Sequence, residues 1–420
     1  MLLVYTVNMI IAIIGGGAAG MMAAASASEE NPTAQIVLIE KNPSLGAKVI
    51  ISGGGRCNVT TGFSDLRLIA ERYPRGGKFL QSAFYRFSPE HVQEWFEAHG
   101  VPLKKEEDGR VFPVSDNGKD IVNVFTQLFE EKGVLVHLKH EIKKIEKENE
   151  KFRLTFANSA FLEVDKVILT TGGQAYRHTG STGDGYTFAE SLGHHITALA
   201  PSLNSFILKE EWVKNLAGVA LKKVALKVKR PKKLEWSGPI LFTHKGITGP
   251  AVFALSSLVA FEEYDPTLPL EIQLDFVPER SQPELEAHMA KEFKDNPKKL
   301  TRNSLYFLPK SLASELCESL GIPDQKINHE LSKKDFNRLS ALLKNCPVNA
   351  IGRAAGDEFV TAGGVNTDEV DPRTMESKLC PGLYFAGEIL NIDGFTGGFN
   401  LQAAWATGRL AGASASQESK

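Results

Sequence analysis

Cysteine is scarce in this chain: Cys57, Cys317, Cys346 and Cys380 are spread over 420 positions with no CxxC pair. That spacing argues against a disulfide framework, a zinc site and a dithiol–disulfide reductase, and it suits a reducing cytoplasm. No metal ligation is expected. Charge of either sign is missing from residues 1–28, which invites comparison with a signal peptide or a membrane span. A basic leading region is absent, however, and glycines at 15–20 interrupt the apolar run, so neither reading holds and no membrane association is expected. Met9 directly precedes the first strand pattern, which marks residues 1–8 as a dispensable extension or a mis-assigned start. The net charge of −2 gives no global pull toward nucleic acid, so any such contact must come from a local patch. With 42% hydrophobic and 23% charged residues, the composition is that of a globular protein long enough for two or three domains. Oligomeric state is not readable from it.

What is present begins with Ile10–Gly20, IIAIIGGGAAG. Five apolar residues form the run of a buried parallel strand. Gly15-x-Gly17-x-x-Gly20 then turns the chain into an alanine-rich helix. Gly15 permits the tight turn, Gly17 admits a pyrophosphate against backbone, and Gly20 lets helix and strand pack closely. Phosphates would meet the free N–H groups of the helix start, around Ala18 and Ala19, where the dipole adds roughly 0.3–1 kcal/mol per charge. A second apolar strand, Gln35–Ile39, ends in Glu40, where an acid hydrogen-bonds ribose hydroxyls. Strand, turn, helix, strand and acid together predict a dinucleotide site. No second fingerprint follows, so a separate NADPH domain is not expected.

Along the chain, Gly46–Asn58 contains three successive glycines followed by Arg56, Cys57 and Asn58, which suits a loop lying against a ligand. Ser88–Gly100 reads as a helix capped by Ser88, with Val92, Trp95, Phe96 and His99 on its stripe; His99 is a core or boundary residue there. Asp120–Lys132 is another amphipathic helix. Val134–Leu138, Phe152–Phe156, Phe161–Val164 and Lys166–Thr170 read as strands, the last running into Thr171-Gly172-Gly173. Gly180–Gly185 precedes a short helix. From Leu199 alternating strands and prolines suggest a β-rich insertion, with Val224, Leu226 and Val228 facing opposite Lys227 and Lys229. Helices are predicted at Pro283–Lys294, Lys310–Leu320 and Ser332–Lys344. Leu383–Ala386 is a buried strand closed by Gly387-Glu388, and a last helix starts near Asn400. The expected domains are 1–198 and 349–420 for the nucleotide domain, with a β-rich insertion at 199–279 and a helical one at 280–348.

A helix N-terminus at Asn400 suits the negative N1–C2=O2 edge of a reduced flavin, and a nicotinamide dehydrogenase has no need of it. FAD is therefore the expected cofactor. Ser52–Asn58 (SGGGRCN), Gly180–Tyr186 (GSTGDGY), Leu241–Pro250 (LFTHKGITGP) and Tyr384–Gly408 together resemble the BaiN/RdsA-type (YhiN-like) NAD(P)/FAD-dependent oxidoreductases, along almost the whole chain. The resemblance implies an α/β, glutathione-reductase-like FAD domain of Rossmann type with inserted β-barrel and helical domains. It implies FAD contacts from Gly15, Gly17, Ala18, Ala19, Gly20, Glu40, Lys41 and Lys48. Further contacts are implied from Gly55, Arg56, Cys57, Asn58, Thr171, Gly172, Gly387, Glu388, Gly398, Asn400 and Leu401.

The resemblance also implies reduction of an activated C=C bond, in a uridine of large-subunit ribosomal RNA or in a bile-acid-like enone. Such a reaction needs an acid for the α-carbon. Cys57, in the glycine loop, is the first candidate, with small packing residue as its plain alternative; His244 is the second, with structural turn histidine as its alternative. Lys222, Lys223, Lys227, Lys229, Arg230, Lys232 and Lys233 put seven cations into twelve residues without an acid. Contact with RNA phosphates would use such a stretch, although a solvated strand face has the same pattern. NADH or NADPH docking directly over the flavin and a different reductant both remain open. So do two other classes, an RNA-binding flavoprotein without turnover and an oxygen-using oxidase or hydroxylase.

Overall fold

The computed structural model describes residues 9–230, 232–354, 356 and 358–417, so the expectation about residues 1–8 lies outside the described residues. The chain divides into two compact units, 1–201 with 359–420 and 202–358.

The first unit is built on a five-stranded parallel sheet in the order Leu383–Phe385, Lys166–Leu169, Ile10–Ile14, Gln35–Glu40, Leu135–Leu138. Ile11, Ala12 and Ile13 are wholly buried at its centre, as expected of a strand covered on both faces. Two helices from opposite ends of the chain, Ala18–Glu30 and Phe399–Ala415, pack together at small residues. A Cβ on Gly408 would stand 2.4 Å from the Ala19 carbonyl oxygen, and one on Gly412 2.2 Å from that of Ala23. Only backbone fits there. Trp405, fully buried, stacks at 5.7 Å on Phe125 and donates from Nε1 to the Val59 carbonyl at 2.9 Å, tying the last helix to the middle of the unit.

Several elements depart from the sequence reading. Gly46–Asn58 is not all loop: Ala47–Ile51 is a short helix, and Ser52–Gly55 forms a tight turn with Gly53 and Gly54 in the left-handed region. Ile142–Glu148 is a strand that the sequence hides, because only Ile142 and Ile145 are buried and their spacing of three breaks the alternation. Val360–Ala362 forms a further short strand to which the sequence reading assigned no element.

The second unit is a closed six-stranded barrel made by Phe206–Leu208, Gly246–Thr248, Leu234–Phe242, Ala220–Val228, Leu270–Asp275 and Cys346–Arg353. The last strand comes after the helices, which moves the return to the first unit from 349 to 359. Leu285, Leu312 and Leu339 of those helices share one core with Leu226, Leu274 and Val348 of the barrel. The helices are thus an excursion between two barrel strands, not a separate subdomain. Pro250–Leu258 forms a further helix with Pro250 in its first turn. Its apolar residues run almost all round, so no amphipathic period announces it.

Candidate dinucleotide site

The fingerprint folds as its residue types require. Gly15 sits at φ +110°, and its N–H donates to the Ile39 carbonyl at 2.8 Å, joining the turn to the second strand. A Cβ on Gly20 would lie 1.9 Å from the Gly15 carbonyl oxygen. At Gly17 the backbone is ordinary, φ −80°, and a Cβ would meet nothing within 4 Å. Gly17 therefore keeps space clear above the start of helix Ala18–Glu30, whose first N–H groups have no acceptor within the helix. That is the cradle a diphosphate needs.

Glu40 is buried at the end of its strand. Its Oε2 accepts from the Gly16 N–H at 2.7 Å and its Oε1 from the Asn42 N–H at 2.8 Å. Each oxygen keeps lone-pair capacity for a ribose hydroxyl. Lys41 donates to Asp184 Oδ2 and to Thr182 Oγ1, each at 2.5 Å. Burial alone would raise the Asp184 carboxyl, but the bonds from Lys41 and Thr182 outweigh it and hold it below its ordinary range. Lys48 pairs with Glu388 Oε2 at 2.7 Å, and Glu388 Oε1 accepts from the Thr361 N–H at 2.9 Å. One carboxylate thus joins the helix Ala47–Ile51 to two C-terminal segments. Gly387 donates to Thr407 Oγ1 at 2.9 Å, which sets the turn before Glu388.

Other residues of the expected set are also committed within the protein. Asn400 clamps Gly394, accepting its N–H and donating to its carbonyl, both at 2.8 Å. Helix Phe399–Ala415 still opens with Gly398 at φ +90° and no side-chain cap, so backbone N–H groups at Asn400 and Leu401 remain available there. Arg56 pairs with Glu106 at 2.7 Å and lies 3.8 Å over the Phe112 ring. Cys57 is fully buried, at φ +61°, and burial pushes its thiol up to about 12 against a smaller opposing bond from Ser52. Its side chain is packed away from solvent. Asn58 accepts from the Val111 N–H at 3.3 Å, and Gly55 sits in the exposed left-handed turn before Arg56. His244 belongs to the second unit, where it is exposed on the turn between barrel strands Leu234–Phe242 and Gly246–Thr248.

The sequence reading gave no role to Thr182, Asp184, Tyr186 or Thr361, although GSTGDGY was singled out as a motif. Thr171 Oγ1 and the Tyr186 hydroxyl are buried beside this cradle without a hydrogen-bond partner among the described residues. Buried polar groups are nearly always paired, so orphans lining a nucleotide cradle are the signature expected of ligand contacts. The residues fit a dinucleotide of the FAD type.

Residues 9–414 match the family described as HI0933-like protein Rossmann domain. The chain is similar to a 3-dehydro-bile acid delta(4,6)-reductase of Clostridium scindens, 30% identical over 91% of this chain and 93% of that one. It is equally similar to a ribosomal RNA dihydrouridine synthase of Escherichia coli, 30% identical over 89% of this chain and 90% of the other. A solved 3-ketosteroid-delta4-(5alpha)-dehydrogenase from Rhodococcus jostii covers 99% of each chain with a TM-score of 0.51 at 15% identity, which shows a shared fold. The fingerprint, the parallel sheet and a match across nearly the whole length agree: the chain belongs to the HI0933-like Rossmann-domain family.

Proposed function

We propose that this chain is an FAD-dependent oxidoreductase that reduces an activated C=C bond, with a uridine of large-subunit ribosomal RNA as substrate. The observation that carries the FAD reading is the clear space at Gly17 over a helix start, with Glu40 closing the second strand. Two relatives of equal identity carry names that describe hydrogen added across a C=C bond, one in a bile acid and one in uridine. When bound, FAD supplies hydride from N5 to the substrate's β-carbon. In this reading Gly15, Ala18, Ala19 and Gly20 present backbone to the diphosphate, Glu40 takes the ribose, and Lys41 and Lys48 neutralise nearby acids. Thr171, Gly172, Gly387 and Glu388 border the middle of the cofactor, and Gly398–Leu401 turn helix N–H groups toward the flavin. NADH or NADPH docking directly over the flavin is the reductant proposed here; the single glycine fingerprint fits it and fits a different electron donor equally.

The burial of Cys57 leaves His244 as the acid to test. Its replacement by Gln should slow turnover at least about 100-fold while FAD content stays unchanged.

The RNA substrate is favoured over a small enone by the barrel strand Ala220–Val228 and the residues after it. Lys222, Lys223, Lys229, Lys232 and Lys233 are exposed there. Lys227 instead pairs with Asp275 at 3.0 Å, and Arg230 donates to the Pro269 carbonyl at 2.8 Å, so those two hold the barrel. The test is nucleoside mass analysis of ribosomal RNA from cells with and without the gene. Loss of dihydrouridine, restored by the wild-type gene and not by Gly17→Leu, supports the reading. Unchanged dihydrouridine shifts it to the small unsaturated substrate that the Clostridium scindens relative's name describes.

A further inference from the structure

The segment Gly180–Tyr186 is pinned beside the cradle from several sides. Lys41 holds Thr182 and Asp184, and Asn42 Nδ2 donates to the Thr179 carbonyl at 2.8 Å. These anchors come directly after Glu40, the ribose-binding position. A Cβ on Gly185 would meet Thr171 Oγ1 at 1.9 Å and Ile389 at 2.8 Å. The first turn of helix Asp184–Ser191 is therefore pressed between the Thr171–Gly172 turn and the residue that follows Glu388. Tyr186 stands in that turn with 5% of its surface exposed, and its hydroxyl has no partner among the described residues. Burial and then the nearby Glu388 carboxylate raise the Tyr186 phenol above its ordinary value, so it remains a neutral O–H donor. Glu388 does not receive that proton: no hydrogen bond joins it to the Tyr186 hydroxyl, and its oxygens accept from Lys48 and the Thr361 N–H instead.

We infer that Tyr186 is a cofactor-binding residue whose hydroxyl donates a hydrogen bond to bound FAD and so fastens the Gly180–Tyr186 segment over it. This rests on the FAD reading proposed above. It explains why a tyrosine, and not a phenylalanine, fills a buried position where none of the described residues receives its hydroxyl. An orphan donor weakens the protein without FAD and is satisfied only when FAD is present.

The experiment compares the full-length protein stripped of FAD with its Tyr186→Phe variant. FAD affinity is read by flavin fluorescence quenching, and the melting temperature of each apoprotein is read separately. Tyr186→Phe should raise the Kd for FAD about tenfold, the effect of one hydrogen bond to a charged or strongly polar group. The melting temperature of its apoprotein should stay the same or rise, because no protein partner is lost. Equal FAD affinity in the two proteins overturns the inference. So does a fall in apoprotein melting temperature that accompanies the weaker binding, which would make the hydroxyl a support of the fold. A wild-type apoprotein that does not bind FAD overturns the parent reading instead, and the two failures are told apart by that control.

Discussion

Gly17 and Gly20 lie in one motif and have opposite reasons for lacking a side chain. Gly20 is packed against the Gly15 carbonyl, so Gly20→Ala should reduce the yield of folded protein. Gly17 has space and an unstrained backbone, so Gly17→Leu should fold with an unchanged circular dichroism spectrum and melting temperature while losing bound FAD, measured as yellow colour per mole of protein. Retained stoichiometric FAD in Gly17→Leu would remove the cradle from its assigned place. The cysteines offer a second check at this scale. All four are buried, and the thiols of Cys57 and Cys346 are pushed up to about 12 by burial. The native protein should therefore resist thiol titration at about pH 8, near the ordinary thiol value, and release four thiols on unfolding. His194 supplies a pH dependence. Nε2 lies 2.7 Å from Ser377 Oγ, and Nδ1 lies 3.1 Å from Glu369 Oε2. Ser377 Oγ already accepts the N–H groups of Leu379 and Cys380, which leaves its own proton for the neutral imidazole. Burial lowers the His194 value below 6.5, and Glu369 opposes this without overcoming it. The stability contributed by neutral His194 is present in full above pH 6.5 and is lost as pH falls below it. His194→Gln should flatten the acid side of the melting-temperature profile.

Elements were legible where local pattern and burial agree. The run Ile10–Ile14 announces a strand because both of its faces are covered, and Ser88 with Pro89 announces a helix because the cap lies in the residues themselves. The capping box there uses His91, a residue type the usual pattern does not include. Ile142–Glu148 and Pro250–Leu258 were illegible for contrary reasons, the one too polar to alternate and the other too apolar to show a face. The glycine turn between Ile10–Ile14 and Ala18–Glu30 was readable because glycine spacing is local chemistry. The latch between Lys41 and Asp184 was not, since it joins positions 143 residues apart that only the tertiary fold brings together. The barrel offers another such case. Asp275, nearly buried, receives Lys227 at 3.0 Å and Lys344 at 2.8 Å, and Lys344 also donates to the carbonyls of Val277 and Arg280. This cluster holds the helical excursion to the barrel. Asp275→Ala should destabilise the second unit by about 3–5 kcal/mol, because it leaves Lys344 buried without its counter-charge. Urea unfolding followed by the fluorescence of Trp212 and Trp236 would measure it.

At the scale of the molecule, one chain combines a nucleotide-binding unit assembled from both of its ends with a barrel carried on the segment between them. Net charge is nearly balanced, so the RNA recognition proposed above would have to rest on local cations. Reversing Lys222, Lys223, Lys229, Lys232 and Lys233 to Glu should weaken binding to ribosomal RNA and flatten its salt dependence. Lys227 is left in place because its replacement would disturb Asp275. Binding unaltered by the reversal would return the strand to a solvated face. Among the described residues no helix is long and apolar enough to cross a membrane.

The most direct test of the central claim is a single turnover without oxygen. Purified protein carrying reduced FAD is mixed with ribosomal RNA from cells lacking the gene, and the flavin spectrum and nucleoside masses are followed together. The account predicts that oxidised flavin returns as dihydrouridine forms, one for one, and that Gly17→Leu does neither. Flavin that stays reduced, before both this RNA and a panel of enones, would contradict a C=C reductase.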